Sequence, residues 1–358
     1  MDTTASATPS AAAETLAAAP VPAVPAAEQT WVLTDGSVGM ENQGLAVAEA
    51  LGFPVTCKRV RRAGPSRHLP TWAQVFLPPD ALLHAVAPKS DRLAPPWPRV
   101  LISIGRHSVP LALAVKRLSG GRTLALHIQN PKVDPARFDV VAAPMHDALA
   151  GANVVMTFGA AHRVTPERLA KAAEALAPKL AHLPHPRIAV LIGGSSKAFR
   201  FEAADAQKLG EDLARLARKA NASLLVTPSR RTGAENIAII TRCLEGVPAQ
   251  IWDGTGDNPY FAFLGLAEAV IATSDSVNMV TEAAGTGKPV YVYPLRGHSA
   301  RLARFHAAMR QRGATRTFDG RLDSWSYAPV NDTEIVAAAL RRALAADKGE
   351  TRAGLTAG

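Results

Sequence analysis

Cysteine, aromatic residues and long apolar runs are all scarce in this chain. Two cysteines, Cys57 and Cys243, stand among 358 residues, far apart and with no CxxC or histidine at ligand spacing. Neither a disulfide framework nor a zinc site is expected, and a reducing compartment is the default. Cys57 falls in a strand pattern and reads as a small buried hydrophobe. No apolar run approaches the roughly 18–20 residues that span a bilayer. Aromatics amount to 5% of residues, and no zinc finger or RNP-type motif occurs. With its charge scattered along the chain, the net +10 does not point to nucleic acid. Residues 1–29 hold no Lys or Arg, so neither a secretory n-region nor an arginine-bearing presequence is expected there. Their Ala, Pro, Thr, Ser and Glu content predicts a disordered tail over 1–29.

With 47% apolar and 20% charged residues, the remainder has the composition of an ordinary globular protein. Its length suits two cores of roughly 150 residues each. Apolar runs at Trp31–Thr34, Val55–Val60, Val100–Ile104, Thr123–Ile128, Val140–Ala143 and Val154–Thr157 alternate with helical patterns such as Asn42–Leu51 and Pro110–Leu118. A helix at Pro166–Ala177 leads into the Pro- and His-rich stretch Pro178–Pro186. A second series then runs from Ile188–Ile192 through Ser223–Val226, Gln250–Trp252 and Val270–Ala272 to Val290–Val292, with helices between. Such alternation predicts parallel sheets covered on both faces. The expected fold is α/β: two Rossmann-like, doubly wound domains facing a cleft. They occupy 30–177 and 187–330, with a linker at 178–186, a C-terminal helix at 331–348 and a flexible tail at 349–358.

Ligands of such sheets bind beyond the strand carboxyl ends. In the second series three polar loops fall there. Gly193-Gly194-Ser195-Ser196 lets a ligand approach the backbone. Arg230-Arg231 sits in a Pro- and Gly-framed loop and can present a fork to phosphate. Ser274-Asp275-Ser276-Val277-Asn278 opens a helix that carries Glu282, one turn on, where a carboxylate can accept from a ribose. In the first series, Asp35 and Glu41 are the carboxylates placed to act as a general base, with helix capping as their plainer role. Arg106-His107, Gln129-Asn130 and His146-Asp147 also close strands. His146 and Asp147 are adjacent and so do not form a triad.

The densest basic cluster, Lys58, Arg59, Arg61, Arg62, Arg67 and His68, runs into a segment carrying Trp72, Phe76 and Leu77. Lys58–Leu77 therefore suits an anionic membrane surface. The alternative is a solvated basic loop before a core helix.

Laid out in full, the chain resembles the GT-B glycosyltransferases, and among them the peptidoglycan N-acetylglucosaminyltransferase. The matching pieces are Gly193-Gly194-Ser195, the Ser274–Asn278 loop with Glu282, Gly287-Lys288-Pro289 through Pro294, and His127-Ile128-Gln129-Asn130. The resemblance implies a GT-B-like fold, a nucleotide-sugar donor in the second domain and an acceptor in the first. It gives Glu282 the ribose, and Ser195, Ser276 and Asn278 the diphosphate. In place of that family's Gly-Gly-Thr-Gly-His loop stands Asp35-Gly36-Ser37-Val38-Gly39, and Arg301, Arg304 and His306 replace its Gln pair. A nearly full-length likeness is to the "elongated mitochondria" fission family of bacteria and plants. It rests on the blocks Leu33–Gln43, Ser103–Ala114, His127–Pro131, Phe138–Asp147, Gly193–Phe199, Thr227–Gly233, Asp257–Leu264 and Thr273–Met279. Members of that family are also labelled nucleoside-diphosphate-sugar epimerases, yet no GxGxxG and no suitably placed Tyr-xxx-Lys pair occurs here.

Two functions follow as expectations. One is transfer from a nucleotide sugar to a membrane-associated acceptor. The candidate catalytic residues are Asp35, Glu41, His146 and Asp147. The candidate donor residues are Gly193, Gly194, Ser195, Ser196, Arg230, Arg231, Ser274, Asp275, Ser276, Asn278 and Glu282. Arg106, His107, Gln129 and Asn130 lie on the acceptor side. The other function is a non-catalytic adaptor on the same scaffold. No cofactor or metal is expected, and the setting is the cytoplasm, peripheral to the inner face of a membrane.

Overall fold

The structure is a computed structural model that describes residues 29–356. The expected tail at 1–29 falls almost wholly outside them. The first unit comprises β1 (Thr30–Thr34), α1 (Val38–Leu51), β2 (Val55–Arg59), α2 (Thr71–Gln74), α3 (Pro79–His84), β3 (Val100–Ile104), α4 (Val109–Leu118), β4 (Leu124–Ile128), β5 (Val140–Pro144) and β6 (Val154–Thr157). Helix α5 (Pro166–Leu176) precedes the second sheet. There follow β7 (Arg187–Ile192), β8 (Phe199–Arg200), α6 (Ala203–Ala220), β9 (Ser223–Pro228), α7 (Ala234–Cys243), β10 (Ala249–Ile251), α8 (Tyr260–Leu266) and β11 (Ala269–Thr273). The chain ends with α9 (Val277–Gly285), β12 (Val290–Tyr293), β13 (Arg296–Gly297), α10 (Ala300–Gln311), β14 (Thr315–Thr317) and α11 (Asp332–Thr356).

Two six-stranded sheets result, ordered β2-β1-β3-β4-β5-β6 and β10-β9-β7-β11-β12-β14, with every pairing parallel. Central strands such as β1, β3 and β7 are buried at every position, as sheets covered on both faces require. On the first sheet one core gathers α4 and the α2–α3 segment, and the other gathers α1 and α11. On the second sheet α6 and α7 cover one face, while α8, α9 and α10 cover the other. Chain order reverses between β1 and β3 and again between β7 and β11. These are the switch points where a crevice opens at the carboxyl edge.

Three boundaries differ from the sequence expectation. Helix α5, expected to close the first unit, packs on the second: Leu169 lies in the core with Leu264, Ala283 and Phe305. Gly265 lets the two helices touch, because a Cβ there would sit 2.6 Å from the Leu169 carbonyl. The chain therefore crosses between units near 158–165, and Pro178–Pro186 lies within the second unit, with Leu180 and Leu183 buried. Helix α11 returns to the first unit, burying Val336, Leu340 and Leu344 against Val32 and Ile102. It also runs past 348 to Thr356, since extending a formed helix costs far less than nucleating one. Asp332, at its start, fastens the crossing: its buried carboxylate accepts from the Phe158 N–H at 3.1 Å and the Gly159 N–H at 2.7 Å.

Candidate functional site

At the β7/β11 switch point the polar groups converge, but many of them satisfy one another. The Gly193 N–H donates to Thr273 Oγ1 at 2.7 Å and the Gly194 N–H to Asp275 Oδ2 at 3.0 Å. Thr273 in turn donates to Asp275 Oδ1 at 2.6 Å. Arg231 pairs with Asp275 at 2.7 Å and donates to the Gly194 carbonyl at 3.1 Å. The Asp275 side chain is 0% exposed and that of Arg231 41% exposed. The two N–H groups expected to face a phosphate are thus taken by the chain's own side chains, one by the Thr273 hydroxyl and one by the Asp275 carboxylate. Glycine is required because a Cβ on Gly193 would lie 2.2 Å from the Asp275 oxygens.

The other predicted donor residues divide. Ser195 exchanges hydrogen bonds with the Phe201 backbone, and the Ser196 hydroxyl accepts from the Ala198 and Phe199 N–H groups. Ser274 accepts from the Leu295 N–H, and Ser276 caps α9 by accepting from the Met279 N–H. These four hydroxyls are occupied by local structure, as short polar side chains at turns and caps usually are. Arg230 is exposed and makes no side-chain hydrogen bond among the described residues.

Glu282 is different. It is half-buried on α9 and accepts from the Tyr260 hydroxyl at 2.5 Å. Burial pushes its pKa up to about 7, against the opposing effect of that hydrogen bond. Tyr260 is raised as well, by burial and then by Glu282. No cation pairs with this carboxyl among the described residues, and the Tyr260 hydroxyl is its hydrogen-bond partner. Because the native state keeps a proton that the unfolded chain releases near pH 4.5, the group's stabilising contribution is full below that pH. It is lost as pH rises through about 7. Glu282→Gln should therefore flatten the stability profile between pH 5 and 7.5, read as denaturant midpoints across that range. Tyr260 was missed from sequence. Its block Asp257–Leu264 was visible, but nothing there shows that its hydroxyl meets Glu282.

At the β1/β3 switch point a cavity of about 190 Å³ is lined by Thr34, Asp35, Val60, Arg106, His107 and Gln129, among others. Asp35 accepts from the Ser37 N–H at 2.9 Å. Burial, then the Arg106 charge, lowers the His107 pKa. Gln129 has φ of +86°, a left-handed conformation that costs a non-glycine residue on the order of 1–3 kcal/mol and often marks a functional position. It also lines a second cavity of about 60 Å³ between the units, beside Gln43, Thr157, Asn278 and Arg301. Asn130 is turned to its own loop, accepting from the Lys132 N–H. Glu41 is no free base: Arg59 holds it by two hydrogen bonds of 2.8 and 2.7 Å, and this holds its pKa below the usual carboxylate range. Asp147 lies 3.5 Å from Arg301 of the second unit. The side chain of His146 lies outside the described residues.

Asn278 bridges the units. It accepts from Gln43 at 3.1 Å and donates to the Gly39 carbonyl at 3.2 Å. The two switch points therefore face each other across a narrow cleft. Gln43 and Gln129 line the cavity between the units on one side, Asn278 and Arg301 on the other.

The basic and aromatic segment is also rearranged. Arg59 is spent on Glu41, Arg62 is buried, and Lys58 lies over the Trp31 ring at 4.8 Å. Trp72 and Phe76 are 62% and 67% exposed, so neither belongs to the core. The cations beside them come partly from elsewhere: Arg137 lies 5.1 Å over the Phe76 ring, and Arg117 donates to the Val75 and Leu77 carbonyls.

A family model described as mitochondrial fission ELM1 matches residues 38–344. The mitochondrial fission protein ELM1 of Arabidopsis thaliana is 33% identical over 276 residues, covering 70% of this chain and 64% of that protein. The chain thus spans under two thirds of the plant relative's length. An uncharacterised protein of Rickettsia prowazekii (strain Madrid E) is 25% identical over 360 residues, covering 89% of this chain and 99% of that one. Among solved structures, a Listeria monocytogenes protein assigned as a UDP-N-acetylglucosamine 2-epimerase superposes with a TM-score of 0.51 at 12% identity. That match covers 88% of each chain. At such identity the likeness concerns the fold alone, two parallel-sheet domains of the GT-B type.

Proposed function

The chain belongs to the mitochondrial fission ELM1 family, and on that footing we propose that it binds a nucleotide sugar at the carboxyl edge of its second sheet. The sugar then passes to a membrane-associated acceptor held against the first sheet. The observation that carries this reading is the half-buried Glu282–Tyr260 pair at a switch point, since a carboxyl without a cation there suits the paired hydroxyls of a ribose. Arg230 and the N-terminus of α9 would take the phosphates. In this reading Asp35, which lines the first unit's cavity, receives the proton of an acceptor hydroxyl as that oxygen forms its bond to the sugar and the nucleotide leaves. A thermal-shift panel of UDP-, GDP-, ADP-, CMP- and dTDP-sugars tests it. One of them should raise the melting temperature progressively as its concentration passes its dissociation constant. A flat response to all five would remove the donor site.

A second reading, the non-catalytic adaptor, draws support from Asp275 and Thr273 occupying the Gly193 and Gly194 N–H groups. A chain that fills its own anion site holds these loops without a ligand, and it would leave the panel silent.

For the membrane side, no helix among the described residues is long and apolar enough to cross a bilayer. The exposed Trp72 and Phe76, flanked by Arg67, Arg117 and Arg137, suit reversible docking on anionic lipid instead. Each such cation contributes about 1 kcal/mol near a charged surface. Flotation with anionic vesicles at low salt should carry the protein upward, and the Trp72→Ser, Phe76→Ser double variant should stay at the bottom. Equal flotation of both, or none of the parent, would count against docking through this surface.

A further inference from the structure

The exposed Phe76 has a guanidinium at its ring and another at its backbone. Arg137, from the segment between β4 and β5, lies 5.1 Å over the ring. Arg117, in the last turn of α4, donates through Nη2 to the Val75 and Leu77 carbonyls at 3.0 and 3.3 Å. Both arginines and Lys116 line one cavity of about 360 Å³, whose apolar wall is Val75 and Leu113, and no carboxylate lines it. Lys116 pairs with Asp139 at 2.7 Å. Arg117 and Arg137 have no carboxylate partner among the described residues.

The plainer role of Lys116 and Arg117 is to answer the negative end of α4. That does not account for Arg137, which belongs to another segment and is exposed. A larger cavity of about 610 Å³ beside α6 also holds cations, but Asp205, Asp212 and Asp319 line it too. Arg296 and Lys208 are already spent on the first two of these, at 2.6 and 2.8 Å. An anion entering there meets acids, whereas one entering the 360 Å³ cavity meets none.

A phosphate monoester carries close to two negative charges and strong acceptor oxygens, and guanidinium groups grip such an oxyanion through paired N–H donors. Two unpaired arginines match that charge better than they match a singly charged diester. Leu69, Trp72 and Phe76, three and four residues apart and all exposed, set an apolar surface that adjoins the cavity through Val75. The anion that fits is therefore one carried on acyl chains.

We propose that Lys116, Arg117 and Arg137 form a headgroup site for a phosphate-monoester lipid, phosphatidic acid in its simplest form. The proposal rests on the docking reading above and narrows it from any anionic surface to one headgroup.

Flotation of the full chain on phosphatidic acid vesicles, and on phosphatidylglycerol vesicles matched in surface charge, tests it. The parent should bind phosphatidic acid at least about tenfold more tightly, the scale of a charge-assisted hydrogen bond. Arg137→Gln should level the two lipids while still binding both, because the other cations and the aromatics serve either surface. Arg137 is exposed, so this variant should melt with the parent; Arg117→Gln carries the same comparison should it not fold. Equal binding of the parent to both lipids, or a preference that survives in Arg137→Gln, would overturn the headgroup site and leave docking by charge standing. Should the parent float on neither lipid, docking fails, and titration calorimetry with dihexanoyl phosphatidic acid below its micelle concentration decides the headgroup site by itself. Binding at least about tenfold weaker in Arg137→Gln than in the parent supports it. No binding by the parent, or equal binding by both, overturns it.

Discussion

Asp275→Ala is expected to cost about 3 kcal/mol of folding stability, measured as a shift in denaturant midpoint at unchanged slope. The Asp275 side chain is fully buried and accepts from the Gly194 N–H, the Thr273 hydroxyl and Arg231. Truncation leaves a buried amide and a buried hydroxyl without that acceptor, each worth about 1–3 kcal/mol. Arg231, being half-exposed, can turn to water, so the ion pair itself adds little. Asp275→Asn keeps one acceptor oxygen and should lose less. A surface-like loss under about 0.5 kcal/mol for the alanine variant would mean the network is not formed.

Gly194→Ala should be at least as damaging, by about 3 kcal/mol or more. An added Cβ would lie 2.1 Å from the Arg231 carbonyl oxygen and 2.7 Å from the Thr232 amide nitrogen. Both are backbone atoms, so no rotamer change relieves the collision. The Thr227–Gly233 loop would have to move away from β7 and give up the bonds from Ser229 and Thr232 to the Gly193 carbonyl. Gly233→Ala, where nothing lies within 4 Å of the new Cβ although φ is +83°, is the informative control. It strains the same loop without a clash, and should cost roughly 1–2 kcal/mol. Melting curves that rank the two variants the other way would show that the β7 loop is not closely packed.

The sheets were readable because strands buried on both faces are written as unbroken apolar runs. Val100–Ile104 and Ile188–Ile192 are buried throughout. Where the pattern weakens, the reading does too. Helix α10 buries only Phe305, His306 and Met309, and β14 is three residues long; neither announces itself by periodicity. The apolar face of α5 shows that the helix packs, but not on which sheet. The loops at the strand ends were also legible as loops. What each polar group does there was not, because that depends on partners far away in sequence. Asp275 reaches Gly194, Arg59 reaches Glu41, and Tyr260 reaches Glu282 only once the strands lie side by side. Arg62 read as one of six cations in a basic run until its burial set it apart.

The central claim is that a nucleotide sugar rests on Glu282. Titration calorimetry of the nucleotide sugar that responds in the thermal panel, against the parent and Glu282→Gln, tests it most directly. Glutamine keeps the size and one acceptor oxygen but removes the charged form, so affinity should fall by about 1–3 kcal/mol while the variant stays folded. An unchanged dissociation constant would take Glu282 out of the site and the ribose with it.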